Sequence, residues 1–203
     1  MRSAISLEAL VCERIQENLD LNRTMLNDVA FQQLVVEAGA ALMQVLKQGK
    51  KVLFFGNGGS AADAQHLAAE LTGRFQLERR ALPGLALTGN VASLTAIAND
   101  YSFEQVYARQ VESLGVQGDA AMGITTSGRS RNVLCALEAA RKLGLVTIAL
   151  TGRRGELLKP MVDFCLCVPS EETPRIQEAH ILTGHILCEI IERGLFSESC
   201  CIS

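Results

Sequence analysis

His66 and Glu70 stand four residues apart in a stretch, Ala61–Arg74, whose composition predicts a helix. Side chains at that spacing leave one helical face toward the same point, so an imidazole and a carboxylate meet as metal ligation or acid/base catalysis requires. The chain has three histidines, and the other two, His180 and His185, lie with Gln177 and Glu178 in a segment otherwise rich in Ile176, Ile181, Leu182, Ile186, Leu187 and Ile190. Polar groups in such company cost free energy unless they have partners or work. For His180 two readings stand side by side, a core residue with its hydrogen bonds made and a functional group. For His66, Glu70 and His185 together the reading is chemistry.

Two further segments suit an anion: Gly56-Asn57-Gly58-Gly59-Ser60 and Thr125-Thr126-Ser127-Gly128-Arg129-Ser130. Each follows a run that reads as a strand and precedes one that reads as a helix. Beyond the carboxyl ends of parallel strands, free amides and the positive ends of helix dipoles converge, and phosphate is the natural guest. The four hydroxyls of the second loop add small donors, although an ordinary turn with a Ser N-cap gives the same pattern. The first loop also fits a dinucleotide fingerprint loosely, as Gly56-x-Gly58-x-x-Ala61. That reading needs an acidic residue at the end of the second strand, where the chain has Thr88-Gly89-Asn90 instead, so a nicotinamide or flavin is disfavoured.

The elements that must hold these residues follow from periodicity. Leu7, Val11, Ile15 and Leu19, then Phe31 through Leu46, keep a helical repeat to Gly49, giving an N-terminal helical hairpin. From there short apolar runs at Lys51–Phe55, Gly84–Thr88, Asp119–Ile124, Leu145–Leu150 and Asp163–Val168 read as five buried strands. Helical stretches at Ala61–Arg74, Val91–Ala98, Phe103–Leu114, Arg131–Leu143 and Leu157–Met161 alternate with them, which predicts a parallel sheet covered on both faces. A last helix is expected from Pro174, with Thr173 as N-cap, to Arg193 before Gly194. The expectation is a three-layer α/β/α fold in a single domain over 1–203, with the hairpin at 1–49 and the α/β core and C-terminal helix at 50–197.

Composition narrows the function classes. The 203 residues are 48% hydrophobic and 20% charged, with a net charge of −3 and no basic tract, so neither disorder nor nucleic-acid binding is expected. No apolar run reads as long enough for a bilayer span, and none as a signal-peptide core. The seven cysteines form no CxxC pair, which fits a reducing cytoplasm and argues against a cysteine zinc knuckle. Cys165 and Cys167 read as buried strand residues, and Cys200 and Cys201 as part of a mobile tail.

The stretch from Gly56 to Leu71, Ala98-Asn99-Asp100-Tyr101, the loop from Thr125 to Leu134 and the segment from Arg175 to Ile191 together resemble the phosphoheptose isomerases of the sugar-isomerase (SIS) family over nearly the whole chain. The resemblance implies conversion of sedoheptulose 7-phosphate to D-glycero-D-manno-heptose 7-phosphate through an enediol, for bacterial surface polysaccharides. It implies a cytoplasmic homotetramer with active sites at subunit interfaces. It makes Glu70 and His185 the acid/base pair, and His66, Glu70, Gln177 and His185 the ligands of one zinc ion per site. Asn57, Gly58, Gly59, Ser60, Glu70, Asn99, Asp100, Thr125, Thr126, Ser127, Ser130 and Gln177 become substrate contacts. Gln177 and His185 are eight residues apart, about 12 Å along one helix, so sharing of the site between chains is expected. The chain departs from the family pattern at Arg129, a cation in a loop that usually reads STSGNS, and at Pro174. The contrasting expectation is a non-enzymatic SIS-domain protein that binds a replication initiator or senses a phosphosugar, for which a complete catalytic set would be unnecessary.

Overall fold

The computed structural model of the chain describes residues 6–197; Cys200 and Cys201, and the first residues, lie outside them. Two antiparallel-reading helical repeats become α1 (Leu7–Asn27) and α2 (Val29–Lys47), separated by Asp28, whose side chain accepts from the Phe31 amide and caps α2. The sheet then runs β1 (Val52–Gly56), β2 (Gly84–Ala86), β3 (Ala120–Thr125), β4 (Val146–Gly152) and β5 (Phe164–Val168). All pairings are parallel, in the order β2-β1-β3-β4-β5.

Strand alternation divides the core in two. Val52 and Phe54 of β1, with Met122 and Ile124 of β3, face a cluster completed by Leu42 and Leu46 of α2, Leu67 of α3 (Gly59–Thr72) and Leu187 of α7 (Thr173–Phe196). Leu53 and Phe55 face the opposite cluster, with Val111 of α5 (Ala108–Leu114) and Val133 and Leu137 of α6 (Arg131–Lys142). The remaining helix, α4 (Val91–Asp100), packs partly buried Leu94 and Ile97 on this second side. The expected three layers are present.

Several expectations need correction. The edge strand β2 is three residues long with Leu85 41% exposed, so it is not a buried strand; an edge has neighbours on one side only. Phe103–Leu114 is a 3-10 turn at Phe103–Gln105 followed by α5, and the expected helix Leu157–Met161 is a 3-10 stretch, Arg153–Leu158. α7 is capped at Glu172 rather than Thr173, with Pro174 in its first turn, and runs through Gly194 to Phe196. Gly194 is an approach residue rather than a stop: a Cβ there would lie 2.2 Å from the Met43 sulfur, where α7 crosses α2. Cys165 is buried but Cys167 only half-buried.

By length and composition α2 would suffice to cross a membrane, which the sequence reading did not allow for. Its Val35, Ala38, Leu42, Val45 and Leu46 are buried in the core cluster, as in a core helix. In contrast Leu7, Val11, Ile15, Leu19 and Leu26 of α1, with Val29 and Val36 of α2, are exposed in the single chain.

Candidate active site

The strand order reverses direction between β1 and β3, and in open parallel sheets that switch point, at the carboxyl ends of the strands, is where ligands sit. Both glycine- and hydroxyl-rich loops are there, because β1 ends at Gly56 and β3 at Thr125. α3 starts at Gly59 and α6 at Arg131, so two helix N-termini open at the same edge. The Asn57 and Asn132 amides exchange reciprocal hydrogen bonds of 2.8 and 2.9 Å and tie one loop to the other. Thr125 donates its hydroxyl to Ser130 Oγ at 3.2 Å, and Ser127 Oγ accepts from the Arg129 amide. Ser130 holds the N-cap position of α6 but makes no side-chain cap, whereas the Ser127–Arg129 bond is an ordinary ST-turn. Ser60 is buried in the first turn of α3, while the Ser127 and Arg129 side chains are exposed.

A second centre lies between later turns of α3 and the middle of α7. His66 Nε2 is 2.9 Å from Glu70 Oε1, and His185 Nε2 is 3.4 Å from His66 Nε2. One ligand atom from each of these three residues lies within 4.8 Å of the others. Two imidazole nitrogens and a carboxylate oxygen are a donor set suited to zinc, and nitrogens each about 2.0–2.1 Å from a tetrahedral ion stand about 3.3 Å apart. These residues therefore fit a metal ion. The Phe75 ring packs beside the His185 imidazole, centroids 5.4 Å apart. One turn before His66, burial pushes the Asp63 carboxyl above its usual range, which His66 partly offsets.

A SIS domain family model matches residues 23–152. The phosphoheptose isomerase of Roseiflexus sp. (strain RS-1) is 48% identical over 188 residues, covering 93% of this chain and 94% of that one. The chain belongs to the phosphoheptose isomerase family. Among solved structures, the phosphoheptose isomerase of Neisseria gonorrhoeae is 41% identical with a TM-score of 0.85, covering 92% of this chain and 99% of that one. The phosphoheptose isomerase of Francisella tularensis is 38% identical with a TM-score of 0.88, covering 93% and 100%.

Not every residue that the family resemblance singles out joins these two centres. The side chain of Gln177, on α7, reaches the glycine loop at the start of α3, where a Cβ on Gly59 would come within 2.3 Å of its Nε2, so within one chain it joins the loops and stands two turns of α7 away from His185 and the histidine cluster. Asn99 and Asp100 end α4, exposed and hydrogen-bonded to one another at 2.9 Å. Glu178 binds Asn18 at 2.6 Å and also pairs with Arg175, so its role is to join α7 to α1. His180 is fully buried, and neither ring nitrogen completes a hydrogen bond; burial, partly offset by the Thr151 backbone, pushes it down to about 4 and keeps it neutral.

Sequence reasoning missed four residues that shape the site. Tyr107 donates its hydroxyl to the Gly56 carbonyl at 2.5 Å, and Asn132 fastens Asn57. Arg79 and Glu192 form a buried pair at 2.9 Å beneath the histidine cluster. Glu192 carried a readable signal, a carboxylate in the same apolar helix as His185 and seven residues on, hence on nearly the same face. Asn132 and Tyr107 carried none, since their partners are far away in sequence.

Proposed function

We propose that this chain interconverts sedoheptulose 7-phosphate and D-glycero-D-manno-heptose 7-phosphate, with Glu70 and His185 as the acid/base pair. The observation that carries the roles is the convergence of His66, Glu70 and His185 on one point. Moving a carbonyl from C2 to C1 removes a proton beside the carbonyl, passes through an enediol and returns a proton at the neighbouring carbon. A carboxylate and an imidazole can trade these protons between carbon and oxygen. The amides at the starts of α3 and α6, with Ser60, Thr125, Thr126, Ser127 and Ser130, are the proposed phosphate and sugar contacts, together with Asn57, Gly58 and Gly59. Asn99 and Asp100 are assigned to the sugar hydroxyls.

His66, Glu70 and His185 would hold zinc, with Gln177 as a fourth donor. When bound, the ion supplies polarisation of the sugar oxygens and stabilisation of negative charge. Because Gln177 of the same chain stands by Gly59, that fourth donor has to come from a second copy. The exposed apolar stripe of α1 and α2 supports a homotetramer that completes its sites at subunit boundaries, since so large an uncovered patch is unusual on a monomer. Light scattering on the active enzyme checks this, and a fully active monomer would overturn it.

Isomerisation of sedoheptulose 7-phosphate by the wild type and Glu70→Gln is the deciding experiment. The amide keeps the shape but accepts no proton, so turnover should fall by about 10²–10⁴ while phosphosugar binding persists. Near-normal turnover in the folded variant would remove Glu70 from the mechanism.

A further inference from the structure

We infer that Arg79 and Glu192 are positioning residues for the histidine–carboxylate cluster: their buried pair locks the end of α3 to α7 and sets Phe75 against His185. This rests on the acid/base reading of Glu70 and His185.

Both side chains are almost fully buried, at 1% and 2% exposure. Glu192 accepts from the Phe75 amide at 3.1 Å, the Gln76 amide at 2.7 Å, the Leu77 amide at 2.8 Å and Arg79 Nε at 2.9 Å. Arg79 in turn donates to carbonyls at the end of α3: Glu70 at 2.7 Å, Leu71 at 3.0 Å and Gly73 at 3.2 Å. A helix leaves its last carbonyls unpaired, and a cation there satisfies them and complements the dipole. Here the carbonyl of Glu70 itself is one of those held.

A buried ion pair is by itself weak evidence of a role, because well-packed apolar residues often replace one without loss. What distinguishes this pair is where its hydrogen bonds end. One arm reaches the backbone of Glu70. Another fixes the backbone of Phe75, whose ring lies 5.4 Å from the His185 imidazole at an interplanar angle of 31°. Glu192 shares α7 with His185, two turns further on, about 10 Å along the axis. Rotation or sliding of α3 against α7 would separate Glu70 from His185, and the pair closes the joint between those two helices next to the cluster.

The test is Glu192→Gln in the full chain, measured by isomerisation of sedoheptulose 7-phosphate and by cobalt(II) titration followed in visible absorption. The amide preserves shape and loses charge. Displaced catalytic groups should lower kcat by roughly 10–100-fold, change KM by less than about three-fold and weaken cobalt(II) binding by roughly 10-fold, the scale seen when groups that orient ligands are removed. A folded Glu192→Gln protein with wild-type kcat and cobalt(II) affinity overturns the inference and leaves the pair a structural one.

If Glu192→Gln fails to fold, Phe75→Leu decides. It keeps the backbone bonds to Glu192 and removes only the ring beside His185, so kcat should drop several-fold with weaker cobalt(II) binding; wild-type values for both overturn the inference. Glu70→Gln is run in parallel. Full turnover in that variant means that the acid/base reading has failed, and cobalt(II) affinity alone then judges the positioning role.

Discussion

Replacing Gly128 by Ala should damage the hydroxyl-rich loop more than Gly58→Ala damages the glycine loop. Gly128 has φ +67°, where a side chain is strained, and a Cβ would lie 2.4 Å from the Cα of Gly155. The left-handed conformation costs an alanine about 1–2 kcal/mol, and relieving backbone overlap in a packed site adds about 1–3 kcal/mol, a total of about 2–5 kcal/mol. For a chain of this size each kcal/mol moves Tm by about 2–4 °C, so the fall should be about 4–20 °C. Gly58→Ala is the comparison: nothing lies within 4 Å of a Cβ, so only backbone strain at φ +57° and ψ −122° opposes it, about 1–3 kcal/mol. Thermal denaturation of the two variants isolates the contact between Gly128 and Gly155. Because Gly128 lies between Ser127 and Arg129, its replacement should also raise KM for the phosphosugar. A Gly128→Ala protein whose Tm falls by less than about 4 °C would refute the reasoning, by showing that the Arg153–Leu158 stretch yields freely.

His180 makes stability depend on pH. Its folded value of about 4 lies below the unfolded 6.5, so between those pH values the unfolded chain binds more protons. The contribution is therefore complete above about pH 6.5 and falls by up to about 3 kcal/mol as pH drops toward 4. Denaturant unfolding at pH 7 and pH 4.5 should show a shallower pH loss in His180→Leu than in the wild type; parallel losses would contradict it. Asn132→Ala leaves the Asn57 amide without its partner and removes the acceptor for the Val133 amide, so it should cost about 1–3 kcal/mol and raise KM. A double-mutant cycle with Asn57→Ala measures the coupling, and strict additivity would deny it.

Much of the fold was readable because β1 and β3 to β5 are short apolar runs separated by helices, and a parallel sheet buries both faces of such strands. The failures fall where tertiary contacts overrule local signals. Gly194 reads as a helix stop until Met43 is seen across from it, and β2 reads as buried until it is found at the sheet edge. The site divides in the same way. His66 and Glu70 were legible from spacing along one helix, and His185 from its apolar company. The pairing of Asn57 with Asn132, 75 residues apart, and of Arg79 with Glu192, 113 apart, exists only in three dimensions.

One helix carries both halves of the candidate site: α3 starts at the glycine loop with Gly59 and brings His66 and Glu70 to α7 before it ends at Thr72. That makes its length between Ser60 and His66 a phase as well as a distance. Deleting a single residue such as Ala62 would swing the two ligands by about 100° around the axis and off the face that meets His185, while shortening the helix by only about 1.5 Å. An insertion of seven residues would restore the phase and yet carry the cluster about 10 Å away from the phosphate loops. Between the two centres the helix has none of the slack of a loop, and a homologue with a gap there would have to bind its substrate in another way.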